Sequence, residues 1–132
     1  MEYISAEEFR KQPMEVQQVI FEWWRPSKGD LFENDLISGF GVITGEKKLK
    51  NGLIPLLTEG QLRRFIENKT ESKILRIFLN EFEVGTKTFK RYCIHLTNAR
   101  IFMNQSDSLF QSYWKVACQI ANKEVVEHGQ TK

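Results

Sequence analysis

Beyond Thr70 the sequence changes period. The run Ile74-Leu75-Arg76-Ile77-Phe78-Leu79 leads through Val84-Gly85-Thr86 into Phe89-Lys90-Arg91-Tyr92-Cys93-Ile94-His95-Leu96. β-branched and aromatic residues on both sides of a glycine-containing turn predict two antiparallel strands, and Arg100-Ile101-Phe102-Met103 predicts a third. Helical patterns lie at both ends of the chain, and no strand-helix-strand alternation suggests a parallel, Rossmann-type sheet. The expected class is α+β: a small antiparallel sheet of three to five strands packed with N-terminal and C-terminal helices, in one domain spanning 1–132.

The helices announce themselves by their ends. Ser5-Ala6-Glu7-Glu8 has the form of a capping box, with Ile4 and Phe9 placed as its hydrophobic staple. Pro13 suits the first turn of a second helix, predicted over Pro13–Trp24, whose Val16, Val19, Ile20, Trp23 and Trp24 follow a helical period. Pro26 and Gly29 end it. Thr58-Glu59-Gly60-Gln61 is another capping box, followed by a stripe of Leu62, Phe65 and Ile66. The longest helix is predicted from Ser108 to Val126. Between the early helices and Thr58, Leu31–Glu33 and Leu36–Thr44 suggest one or two short strands weakened by glycine. Gly45–Gly52, with Lys47, Lys48 and Lys50, suggests a solvated loop.

Charge narrows the partners. Nineteen basic against seventeen acidic side chains give a net +2, short of the basic excess of a dedicated nucleic-acid binder, so nucleic acid is not expected. No run approaches the roughly 20 apolar residues of a membrane span, and no basic leader with an apolar core opens the sequence. A cytoplasmic protein without a membrane partner is expected. Two cysteines, Cys93 and Cys118, provide no disulfide framework.

Tests for chemistry give little. Cys93 and His95 share a face of a predicted strand, but side chains two apart sit about 7 Å from each other, beyond a direct hydrogen bond. Zinc needs more ligands than this pair, and neither a phosphate-binding loop nor a dinucleotide fingerprint is present, so no metal or cofactor is expected. Asp30, Glu33, Glu81 and Glu83 could serve as acid and base, but turn and exposed-strand positions make them solubilising groups. Arg63, Arg64, Lys87, Lys90 and Arg91 could join the loop lysines in basic patches, with Glu59, Glu67, Glu71, Glu81 and Glu83 nearby to dilute the field. No catalytic residue is assigned, and a non-enzymatic protein is expected.

The stretch Phe21-Glu22-Trp23-Trp24-Arg25-Pro26-Ser27-Lys28 carries the candidate binding residues. Adjacent tryptophans on a helix point about 100° apart, so one should enter the core while the other lies at its border. A border tryptophan with Arg25 and Lys28 makes an aromatic and cationic ledge, suited to a protein hot spot or a stacked base. Trp23, Trp24, Arg25 and Lys28 are therefore the expected binding residues. In the last helix, Trp114, Ala117, Ala121 and Val125 form a second stripe beside Leu109, Tyr113, Val116 and Ile120. Such a wide apolar face predicts packing against the N-terminal helices or a homo-oligomer through the C-terminal helix.

Three blocks, "ISAEEFRKQPMEVQQVIFEWWRPSKGDLF", "IPLLTEGQLRRFIE" and "LFQSYWKVACQIA", resemble segments of small uncharacterised phage and prophage accessory proteins of Gram-positive bacteria. The resemblance implies a setting, not catalytic residues. It gives the leading expectation, a small intracellular binding protein of phage type that occupies the surface of a host protein, including a defence protein. The alternative is a sponge that holds a nucleotide or other small anionic ligand without turnover, at a concave site pairing an aromatic ring with at least two cations.

Overall fold

The computed structural model of the chain describes residues 2–34, 39–44 and 52–130. The lysines expected in a solvated loop, Lys47, Lys48 and Lys50, lie outside the described residues. The fold is α+β, as the sequence predicts, with its strands divided between two three-stranded antiparallel sheets. Two compact units result, one of residues 1–58 with 121–132 and one of residues 59–120.

The first unit begins with α1 (Ala6–Arg10) and α2 (Met14–Trp23). The Ser5 hydroxyl accepts from the Glu8 amide at 3.1 Å, the cap that Ser5-x-x-Glu8 predicts. Pro13 immediately precedes α2 at its N-cap. The sheet has the order β2–β1–β3, built from β1 (Leu31–Asn34), β2 (Gly39–Val42) and β3 (Leu53–Pro55). Gly41 opposes Phe32, and a β-carbon on Gly41 would come 2.5 Å from Phe32 Cζ. Glycine at this position lets the ring lie across the neighbouring strand. β3 is buried along its length. Its apolar run has no alternation to mark it as a strand, and the sequence reading omitted it.

The second unit holds α3 (Glu59–Thr70), β4 (Ile74–Val84), β5 (Lys87–Leu96), β6 (Ile101–Phe102) and the start of α4 (Leu109–Gln130). Leu62, Phe65 and Ile66 of α3 are fully buried, as their spacing predicts. Helix α3 ends in a Schellman arrangement: Glu71 takes a left-handed conformation (φ +51°), and the Ser72 and Glu71 amides donate to Glu67 O and Asn68 O. The Glu67 carboxylate then accepts the first amide of β4, Ile74 N, at 2.8 Å. Strands β4 and β5 form the predicted hairpin. Their two-residue connection needs a positive φ, which Gly85 supplies at +65°. β6 pairs with β5 through His95 and Ile94, completing the order β4–β5–β6. At the start of α4, Ser108 Oγ accepts from Gln111 N at 3.2 Å, so the polar cluster before the helix does provide its cap.

Tyr113 on α4 is buried, with the Arg63 guanidinium 5.9 Å from its ring centroid. Burial pushes its phenol above the ordinary value of 10.0; Arg63 opposes the rise, and Glu59 and Glu67 add to it. A value raised by folding means that Tyr113's contribution to stability is complete below the unfolded pKa near 10 and is lost as pH climbs through the folded one. Thermal midpoints taken from about pH 8 to about pH 11 should therefore fall at the alkaline end. Tyr113→Phe should flatten that fall, whereas an unchanged decline would assign it to other groups.

Candidate functional site

Of the expected binding residues, the structure turns Trp24 inward. It leaves the helix at the C-cap with extended backbone (φ −66°, ψ 123°), and its side chain is only 1% exposed. Its indole Nε1 donates to Asp30 Oδ2 at 3.1 Å, and the same oxygen accepts Ser27 N at 3.0 Å. Trp24 thus closes the turn from 24 to 30, and its place in an exposed patch is corrected. The border tryptophan is Trp23, half-buried, while Arg25 and Lys28 are exposed. Asp30 is committed to the turn, and Glu33 pairs with Arg10 at 3.0 Å.

A denser gathering of aromatic and cationic groups lies on the β4–β5–β6 sheet. It begins with an irregularity: Ile74 opposes Leu96 and Arg76 opposes His95, so Leu75 is an extra residue in a bulge. Ile74 and Arg76, two apart, consequently fall on opposite faces. From Arg76 onward the register is regular, and it sorts the hairpin by alternation. One face carries Arg76, Phe78, Asn80, Phe82 and Val84 from β4, opposite His95, Cys93, Arg91, Phe89 and Lys87 from β5. The other carries Ile77, Leu79, Glu81 and Glu83 opposite Ile94, Tyr92, Lys90 and Thr88. Both acids of β4 go to the second face. The first has three cations and no carboxylate.

The first face forms successive rows from base to tip. Arg76 lies over the Phe78 ring at 5.4 Å from its centroid, and Arg91 lies over Phe89 at 5.2 Å. Phe82 and Phe89, directly opposed, stack at 5.6 Å with 18° between planes. These contacts place the rings and guanidinium groups on one side, as the register requires. Among the described residues, none of Arg76, Lys87 and Arg91 is within ion-pair distance of a carboxylate. Arg76, Val84 and Lys87 are exposed, while the three phenylalanines and Arg91 are half-buried. In this face only Cys93 is buried outright.

Cys93 and His95 do share that face, but the thiol is occupied. Sγ accepts from Asn104 N at 3.3 Å and faces Asn104 Oδ1 at 3.8 Å, and Asn80 Nδ2 donates to the same oxygen at 2.8 Å. Asn104, left-handed at φ +50°, ties the following loop to the sheet. His95 Nδ1 is shielded and has no hydrogen-bond partner among the described residues. Of the basic residues considered from sequence that are among the described residues, Arg63 and Arg64 are exposed on α3, Lys90 is on the acidic face, and Lys87 and Arg91 join the cluster.

Sequence reasoning missed Arg76, Phe78, Phe82 and Phe89. The signal was the two-residue spacing in Arg76-x-Phe78-x-Asn80-x-Phe82 and Phe89-x-Arg91, hidden by the unbroken apolar run at its start.

In the last helix most of the second stripe is covered. Trp114 is 4% exposed and Ala117 and Ala121 are buried within a single chain. Val125, the last residue of that stripe, is half-buried. Among the described residues no helix is long and apolar enough to cross a membrane. Compared with protein-family models, curated proteins and solved structures, the chain matches none.

Proposed function

We propose that the chain is a binding protein that holds an anionic partner, without turnover, on the face of the β4–β5–β6 sheet that carries Arg76, Phe78 and Arg91. The observation that carries this reading is the segregation of charge: Arg76, Arg91 and Lys87 share a face with three aromatic rings, and Glu81 and Glu83 are on the other. Cations unpaired with carboxylates keep their attraction for an incoming anion, and neighbouring rings exclude water from one side of the contact. This supports the anionic-ligand part of the sponge alternative; of Trp23, Trp24, Arg25 and Lys28 only Trp24 is buried, and Trp23 stays at the border beside exposed Arg25 and Lys28. The site is the surface of a sheet, not the concave pocket expected for a small ligand. A phage-type setting rests on the three resembling sequence blocks, which leave out β4, β5 and β6.

Retention on a heparin column tests the reading. Arg76→Gln, Lys87→Gln and Arg91→Gln combined should elute at clearly lower salt than wild type, with the salt slope of binding reduced by roughly one for each cation lost. A charge-matched control, Arg64→Gln, Lys90→Gln and Lys123→Gln, should stay close to wild type. Equal losses in the two variants would leave only net charge at work and would remove the sheet face from the proposal.

A further inference from the structure

The geometry points to single-stranded nucleic acid as the partner of this face, an inference that rests on the anionic-partner reading above. Along the sheet the side chains come in rows about 7 Å apart, two residues of strand each. Arg76 with His95 is followed by Phe78 with Cys93, then Asn80 with Arg91, then Phe82 with Phe89, and finally Val84 with Lys87. Cation and ring alternate: arginine, phenylalanine, arginine, stacked phenylalanine pair, lysine. A polymer suited to that order must itself alternate negative charge with flat apolar surface. Single-stranded DNA or RNA does so, with a phosphate and a base in every repeat.

Other anions match less of the pattern. An acidic peptide brings charge but no series of planar rings, so the phenylalanines would be left without a role. A duplex keeps its base faces stacked inside, beyond the reach of side chains on a sheet. A single nucleotide would use one cation and one ring out of the series. Bases of an unpaired strand can instead leave their neighbours and stack on aromatic side chains of a β-sheet, while arginine and lysine follow the backbone. From Arg76 to Val84 the face extends about 27 Å, enough for roughly four to eight nucleotides between extended and stacked spacing.

The low net charge of the whole chain, +2, made nucleic acid an unexpected partner at the level of composition. Binding, however, responds to the local field. The bulge at Leu75 and the alternation beyond it put the acids of β4 behind the sheet, so the face is more basic than the chain average.

Fluorescence anisotropy of labelled oligothymidylate and oligouridylate of about twelve nucleotides tests the assignment, the two probes separating DNA from RNA as the source of the strand. Wild type should bind at least one of them, and at least about ten-fold more tightly than a duplex of equal length. Phe78→Leu, and separately Phe82→Leu with Phe89→Leu, keep apolar bulk on the strands but remove the flat rings. Each should weaken single-strand binding roughly 5- to 150-fold, the range for a lost base stack, while heparin retention is unchanged. With three phosphate contacts the logarithm of affinity should fall with the logarithm of salt at a slope of about −2, less steep by about 0.7 for each of Arg76, Lys87 and Arg91 converted to glutamine. Should one leucine variant lose its thermal transition, the other and the glutamine series still decide.

Absence of binding to both oligonucleotides, equal binding to duplex, or leucine variants indistinguishable from wild type would overturn the nucleic-acid assignment. Competition by polyglutamate as effective as by the oligonucleotide would also do so, and would favour an acidic protein segment. Heparin retention that still depends on the three cations would then preserve the anionic-partner reading, whereas its loss would remove both.

Discussion

Replacing Trp24 by alanine is expected to cost about 3 to 5 kcal/mol of unfolding free energy, the range for truncating a large buried aromatic side chain. The indole is 1% exposed, and its loss removes packing at the end of α2 together with the hydrogen bond to Asp30. A cost of that size is a large part of the roughly 5 to 15 kcal/mol that a natural domain has available. Trp24→Phe should separate the two losses. It keeps a ring in the core but leaves Asp30 Oδ2 with only the Ser27 amide of its two described donors, so the penalty should be smaller than for alanine and should include about 1.5 to 3 kcal/mol for a hydrogen bond to a charged acceptor. Urea unfolding followed by circular dichroism would show a lower midpoint at an unchanged slope. An alanine variant as stable as wild type would contradict the buried placement and return Trp24 to the list of surface anchors.

Trp114→Ala is expected to be comparably destabilising, about 3 to 5 kcal/mol, without a change in oligomeric state. Its indole lies on the stripe that continues through Ala117 and Ala121, and all three are covered within one chain. Only Val125, half-buried at the end of the stripe, leaves apolar area on it for a partner copy. Sedimentation of wild type and variant should thus give the same mass, while the unfolding midpoint of the variant drops. A variant of unaltered stability and reduced mass would instead place Trp114 at an interface between copies.

What the sequence made legible was local. Ser5 and Pro13 mark helix starts, Leu62, Phe65 and Ile66 mark a buried stripe, and Gly85 marks a hairpin turn, because each depends on residues a few positions apart. Which tryptophan enters the core was harder to read. The helical angle applies only while the backbone is helical, and Trp24 is the residue at which α2 gives way to extended chain. The division of strands into two sheets depends on pairings between distant segments, as between β1 and β3. The candidate site was hidden for a related reason. Basic residues were visible one by one, but their company depends on which side of a strand they occupy, and the extra residue at Leu75 shifts that assignment for everything after it.

That extra residue also gives the hairpin a single unit of slack at its base. Ile74 and Arg76 already oppose consecutive residues of β5, Leu96 and His95, so a chain shortened by Leu75 alone could keep every described pairing. A residue lost farther along β4 has no such reserve where it falls: unless the bulge is drawn out to supply the missing length, the side chains between the loss and the tip turn over, carrying Glu81 or Glu83 forward and taking phenylalanines back. The character of the aromatic and cationic face is in this sense a matter of counting. Substitutions alter it one side chain at a time, but length variation in β4 exchanges it wholesale, and the one place where length can change without consequence for the face is the place where the strand already bends.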